Sequence, residues 1–189
     1  MIPPCGYERR KDPKKVRAAL LDAAAVLICD QGLARMTVDA VARAAGVTKG
    51  GLFHHFASRQ ELIDGVLDEM MAHAGETLAE LMAADPDPHG RFTRALLDGI
   101  FGDHRMNETV SSRALCLAML ADPNLQQRWA EWIARQVAEH AATDDNVPCA
   151  IVRLATDGIW LSSLHQGEGP PPVDAEVRAA LTAMTRASP

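Results

Sequence analysis

Apolar residues recur along this chain at steps of three and four, the spacing of helices that bury one face. Val16, Leu20, Ala23, Ala24 and Leu27 line a first helix. It is predicted from about residue 13, where proline suits a first turn, to about residue 31, before Gly32. Val38, Val41, Ala42 and Ala45 form a shorter stripe with small side chains, suited to close packing on neighbouring helices. In a third, very short helix Leu52 and Phe56 face inward, which leaves Lys49, Gly50, Phe53, His54 and His55 pointing out. Ile63, Leu67, Met70, Ala74, Leu78 and Leu81 then step along a long helix from residue 59 to about residue 83. At about 1.5 Å per residue it would be roughly 35 Å long.

The residues between these stripes are helix punctuation. Thr37 is a good N-cap, because its hydroxyl accepts from an orphan N–H of the next turn, and Thr48 is placed to do the same for the third helix. Gly46 ends the second helix, at a position that commonly needs a left-handed backbone. Ser58 and Glu61 form an S-x-x-E capping box, so the long helix starts cleanly. Residues 37–61 therefore read as a helix-turn-helix and the start of a following helix. Two helices this small cannot bury a core, so the first helix must cover them in a three-helix head spanning about residues 13–56.

Beyond the turn ADPDPHG, further helical patterns are broken at residues 102–107, 122–123, 143–148 and 166–172. The expectation is an all-α protein of about nine helices, comprising a basic arm (1–12), a helix-turn-helix domain (13–57) and a helical body (58–189) entered by the long connecting helix. Its last two helices, about residues 149–165 and 173–187, are apolar on much of their circumference. Ile151, Leu154, Ala155, Gly158, Ile159 and Leu161 lie on one, and Val177, Leu181 and Met184 on the other. Helices of that kind are buried on more than one side, either at a subunit interface or wholly in a core.

Composition agrees with this outline. Hydrophobic residues make up 48% of the chain, ample for a core, and aromatics only 4%, while alanine and leucine are plentiful and β-branched runs short. No apolar run approaches the roughly 20 residues of a membrane span, and the N-terminus lacks the hydrophobic segment of a signal peptide, so a cytoplasmic protein is expected. Cys5, Cys29, Cys116 and Cys149 are scattered without a C-x-x-C pair. They read as free thiols rather than a zinc site or disulfide framework, a redox-sensing thiol being the lesser reading. Adjacent His54 and His55 point in different directions on a helix, so no metal is expected. Neither a G-x-S-x-G elbow nor a phosphate-binding glycine loop occurs, and no enzyme or cofactor is signalled.

Net charge becomes informative once divided. Residues 1–60 carry 10 Lys+Arg against 5 Asp+Glu, or +5; the remainder holds 9 against 20, or −11, within a total of −6. All four lysines, Lys11, Lys14, Lys15 and Lys49, lie in the basic part, with Arg9 and Arg10 beside the first of them. Beside a helix-turn-helix, this asymmetry points to a polyanion at the basic end. Flexible basic arms commonly add phosphate or minor-groove contacts to a folded reader.

The segment TVDAVARAAGVTKGGLFHHFASRQEL, within about residues 16–67, resembles the DNA-binding head of TetR-family bacterial transcriptional regulators, with Thr37, Gly46, Gly50, Leu52, Phe53, Phe56 and Glu61 at the family's spacing. DGIWLSSL, residues 157–164, is similar to the dimerisation helix of some members. The resemblance implies a head joined to an effector-binding body that dimerises through its last two long helices. It places Thr37 against a phosphate and Thr48, Lys49, Gly50, Gly51, Phe53, His54 and His55 on the recognition helix in the major groove. Arg59 falls where a side chain often reaches the DNA backbone. Phe53 stands where the family usually has tyrosine, which removes one phosphate bond and leaves a ring either to meet a thymine methyl or only to pack. Gly51 replaces a commoner Ser, Thr or Ala and offers no side-chain readout.

The expected function is a homodimeric repressor that reads a palindromic operator in double-stranded DNA and is released by a small, largely apolar effector. Met70, Phe101, His104, Met106, Met119, Trp129, Trp132 and Trp160 are candidates for the effector cavity, although each also suits an ordinary core at helical spacing. A non-specific, architectural DNA-binding protein is the alternative.

Overall fold

The computed structural model describes residues 12–101, 112–163 and 173–186, which form ten α-helices and one 3-10 turn without a strand. Two compact units emerge, Met1–Val66 and Leu67–Pro189.

In the first unit, α1 (Pro13–Gln31) starts at Asp12, whose carboxylate accepts from the Lys14 N–H at 3.0 Å, and stops at Gly32, whose φ of +80° no other residue adopts cheaply. A 3-10 turn (Leu33–Arg35) leads to α2 (Val38–Ala44) and α3 (Lys49–His55). Leu20, Leu21, Ala24, Ala25 and Ile28 of α1 are buried, as are Met36, Val41, Leu52 and Phe56. The buried face of α1 is thus rotated from the one expected, with Val16, Ala23 and Leu27 only half-buried. Alanine and leucine occur all round this helix, so its own periodicity does not single out a face.

The first turns of α4 (Arg59–Ala84) belong to this unit, because Leu62, Ile63 and Val66 are buried. A Cβ at Gly65 would lie 3.1 Å from both Leu21 and Phe56, so glycine allows α4 to approach closely here. The compact unit accordingly extends into α4, as far as Val66.

The second unit contains the rest of α4, then α5 (Arg91–Gly99), α6 (Ser112–Leu120), α7 (Pro123–Glu139), α8 (Ala141–Asp144), α9 (Val147–Ser163) and α10 (Ala175–Met184). The sequence break expected at 143–148 is shorter than it looked. Its beginning folds as α8, and α9 starts at Val147 because Asn146 accepts from the Cys149 N–H at 2.9 Å and Pro148 fits a first turn. Helix α5 packs on α8 and α9, and α10 also packs on α9. Leu97, Val152, Ile159 and Leu181 form the cluster they share.

Charged residues bind this unit together internally. The N-cap of α5 is Gly90, which has no side chain to cap with; the buried Asp144 supplies the missing acceptor, taking the Thr93 N–H at 2.8 Å. Arg153 donates to Thr93 Oγ1 and to the Asp144 carbonyl, both at 3.1 Å. Arg94 is almost fully buried and donates to Asp85 Oδ2 at 2.6 Å, to the His89 and Asp87 carbonyls at 2.7 Å, and to Thr185 Oγ1 at 3.1 Å. Burial works to raise the Asp85 carboxyl, but the Arg94 hydrogen bond, the Asp87 N–H and the charges of Arg94 and Arg186 outweigh it and hold its pKa below the ordinary value. One arginine thereby fixes the α4–α5 turn to the end of α10.

Candidate nucleic-acid interface

Capping chemistry builds the recognition element. Thr37 Oγ1 accepts from the Ala40 N–H at 3.2 Å and Thr48 Oγ1 from the Gly51 N–H at 3.0 Å. Each hydroxyl keeps its own proton to donate outward. Between the two helices Gly46 has φ +66°, and the Val47 N–H bonds back to the Ala42 carbonyl at 2.9 Å. At the start of α4 the Glu61 N–H donates to Ser58 Oγ at 3.0 Å, while Glu61 Oε2 accepts from the Ala57 N–H at 2.6 Å. This is the expected capping box, except that its return bond reaches one residue further back.

Leu52 and Phe56 anchor α3 from below, so its outer face is set by elimination. Lys49, Gly50 and His54 are exposed, Gly51 and His55 are half-exposed, and Phe53 leaves 42% of its surface open. The His54 and His55 rings meet edge-to-face at 5.5 Å between centroids. Among the described residues nothing lies within 4 Å of a Cβ added at Gly50, and one added at Gly51 meets the Thr48 hydroxyl at 3.3 Å and Val47 Cβ at 3.8 Å. Neither glycine has the positive φ that would require it. Gly50 and Gly51 are the second and third residues of a seven-residue helix, where glycine costs less than the roughly 1 kcal/mol of a helix interior but is still no better than alanine. The fold itself therefore gives no reason for Gly50.

The other site residues are distributed unevenly. Lys14 and Lys15 are exposed on the first turn of α1, whereas Arg9, Arg10 and Lys11 lie outside the described residues. Arg59 is half-buried; its guanidinium donates to the Met36 carbonyl at 3.0 Å and to the Leu33 carbonyl, holding the loop before α2. That engagement is structural. Asp39 was missed from the sequence, where it reads as one more polar residue of α2. Its carboxylate meets Lys49 Nζ at 3.1 Å on the outer surface.

In the second unit, Ile151, Leu154 and Leu161 are exposed on α9 with Gly158, and Val177 and Met184 are exposed on α10. Ile159 and Leu181 are instead buried in the shared cluster, with Ala155 packed against it. The apolar circumference of these helices is thus divided, one side serving the protomer's core and the other left open. Val147, Ile151, Leu154, Gly158 and Leu161 recur at four and three residues, which puts them on one stripe. Among the described residues nothing lies within 4 Å of a Cβ added at Gly158.

The described effector candidates are spread over several helices of the second unit. Met70 and Met119 are buried core residues. Phe101 packs against the Leu97 cluster beneath Arg178, whose guanidinium sits 4.4 Å from the ring centroid. Trp132 packs against Leu78, Phe92 and Ala95, with Trp129 5.1 Å away, while Trp160 is half-buried on α9. His104 and Met106 fall outside the described residues. The described residues form surface grooves of about 490 Å³ along α5 and α10 and about 410 Å³ along α1 and α2. Burial pushes the Cys116 thiol up to about 12, and burial followed by Asp30 raises Cys29, so both are poor thiolates at neutral pH. No helix among the described residues is long and apolar enough to cross a membrane.

Comparison with known proteins covers both units. Residues 20–66 match the family described as bacterial regulatory proteins, tetR family, and residues 90–186 match the tetracyclin repressor-like C-terminal domain. The HTH-type transcriptional repressor KstR2 of Mycobacterium tuberculosis is 27% identical over 157 residues, covering 77% of this chain and 78% of the relative. The HTH-type transcriptional regulator BetI of Serratia proteamaculans is 27% identical over 164 residues, covering 80% and 82%. Among solved structures, the multidrug binding protein EbrR complexed with imidazole superposes with a TM-score of 0.63 at 29% identity, covering 100% of this chain and 99% of that one. EbrR is also known complexed with malachite green and with ethidium.

Proposed function

The chain belongs to the TetR family of bacterial transcriptional regulators and is not an enzyme, and from that premise we propose that it is a homodimeric repressor of a palindromic operator, released by a small, largely apolar effector. The observation that carries the DNA-reading part is the outer face of α3. Gly50 is a first-turn glycine that neither its φ nor its surroundings require, beside a cation, an exposed ring and two imidazoles. A surface approached closely by DNA backbone gives such a glycine a purpose. Thr37, Thr48, Lys49 and the basic arm then position the head on phosphates, while Lys49, Phe53, His54 and His55 face base edges.

Supporting dimerisation is the open apolar stripe on α9 and α10, with Gly158 at its middle allowing a second helix to approach. Two-fold pairing would present the recognition helices to half-sites about 34–36 Å apart or a multiple of that. An effector releases DNA only if it binds better to a conformer that reads the operator poorly. Helix α4 runs without a break from the first unit into the second, so it is the element through which such a preference is transmitted. The multidrug-binding relative supports a small aromatic effector, and the cytoplasm is the compartment in which such a regulator meets its DNA.

The Gly50→Ala variant tests the central observation. Helix propensity alone predicts that it stabilises the head by up to about 0.5 kcal/mol. Its DNA affinity should nonetheless fall, tenfold for each ~1.4 kcal/mol that the added methyl costs at the closest approach. Thermal melts and binding isotherms on the same preparation check both halves. Unchanged affinity in the stabilised variant would remove the DNA-reading role from this face.

A further inference from the structure

Lys49, the cation of the proposed interface, does not stand alone. Its Nζ lies 3.1 Å from Asp39 Oδ1 and 3.2 Å from Oδ2, so one ammonium is held by both carboxylate oxygens. Asp39 is on the first turn of α2 and Lys49 is the first residue of α3, so the pair bridges the two helices of the motif. Both side chains are more than half exposed, at 61% and 58%.

Stabilising the turn is a weak explanation for this pair. Exposed ion pairs contribute little, and the helices are already joined by the Val47 to Ala42 backbone bond and by the burial of Val41 and Leu52. Placing a carboxylate where phosphates must come is, by itself, unfavourable for every DNA sequence. A free lysine has four rotatable bonds and finds a phosphate on any duplex, so it raises affinity without discrimination. A lysine held at one position contributes fully only where an acceptor lies at that position. Discrimination gained through a built-in repulsive element is a general route to specificity.

We propose that Asp39 is a specificity-determining residue: it holds Lys49 on the recognition surface and withholds it from non-specific phosphate. This rests on the DNA-reading function proposed above, and the test separates the two. The full-length wild type, Asp39→Asn, Lys49→Met and the double variant are titrated against a random-sequence duplex and a duplex from upstream of the protein's own gene, at several salt concentrations. Circular dichroism checks that all four share one helix content.

For Asp39→Asn the random duplex should bind up to about fivefold more tightly, with its log–log salt slope steepened by about one for each head. The preference for the upstream duplex should fall. In the Lys49→Met background the same substitution should produce neither change, the signature of two residues acting as a pair. Equal gains in both backgrounds, no gain in either, or an undiminished preference would each overturn the proposal while leaving DNA binding in place. If the wild type bound neither duplex at any salt, the DNA-reading function would fall and the proposal with it.

Discussion

Gly90→Ala is expected to destabilise the C-terminal unit by about 3–5 kcal/mol, a large share of what a domain of this size has. Gly90 has φ +67° and ψ +13°, a left-handed conformation that costs a residue with a Cβ roughly 1–2 kcal/mol. The added Cβ would also sit 2.1 Å from the Thr185 carbonyl oxygen, 2.9 Å from its Cβ and 3.0 Å from its carbonyl carbon. Two of those atoms are backbone and cannot swing aside. Relief requires moving the end of α10, which pulls Thr185 away from Arg94 and leaves a buried guanidinium short of acceptors. Urea unfolding followed by tryptophan emission measures the effect, because Trp129, Trp132 and Trp160 all lie in this unit.

The second large effect is expected at the open face of α9, where Leu154→Glu should leave the protomer folded and abolish its association. Leu154 is 72% exposed in the single chain, so a carboxylate there costs the protomer within about 0.5 kcal/mol. In a two-fold interface the same substitution occurs twice and buries two unpaired like charges. At about 3–5 kcal/mol for each uncompensated buried charge, the dimer dissociation constant should rise by more than about a hundredfold. Sedimentation equilibrium reads this directly. DNA affinity should collapse in parallel, since each half-site would then be bound by a separate protomer. A variant that sediments as a dimer at wild-type concentrations would place the interface elsewhere.

The parts of the fold that the sequence revealed are those governed by local chemistry. Pro13 and Gly32 bound α1, Thr37 and Thr48 cap the two short helices, and Ser58 with Glu61 starts α4, all through contacts spanning four residues or fewer. The inward placement of Leu52 and Phe56 followed from the same short range. What remained hidden depends on partners distant in sequence. Arg94 reads as a solvated charge until Thr185, 91 residues away, closes on it, and Asp144 reads as part of a polar break although it caps α5 from 51 residues away. The structural engagement of Arg59 is of the same kind, because nothing nearby in sequence announces the Met36 and Leu33 carbonyls as its acceptors. The apolar circumference of α9 was legible, but its division between Ile159 inside and Leu154 outside was not, because both satisfy the same periodicity. Asp39 escaped notice for a related reason: its significance comes from Lys49, which only the turn brings beside it.

Sequence-specific reading by a dimer is the centre of this account, and a competition experiment tests it most directly. A labelled duplex carrying a palindrome from upstream of the protein's own gene is bound at fixed salt, then displaced by the same duplex unlabelled or by a scrambled duplex of equal length and composition. The scrambled duplex is expected to compete at least about a thousandfold less well, with a stoichiometry of two chains per palindrome. Equal displacement by both duplexes, with affinity falling steeply as salt is raised, would contradict it and identify a DNA-binding protein that recognises only the phosphate backbone.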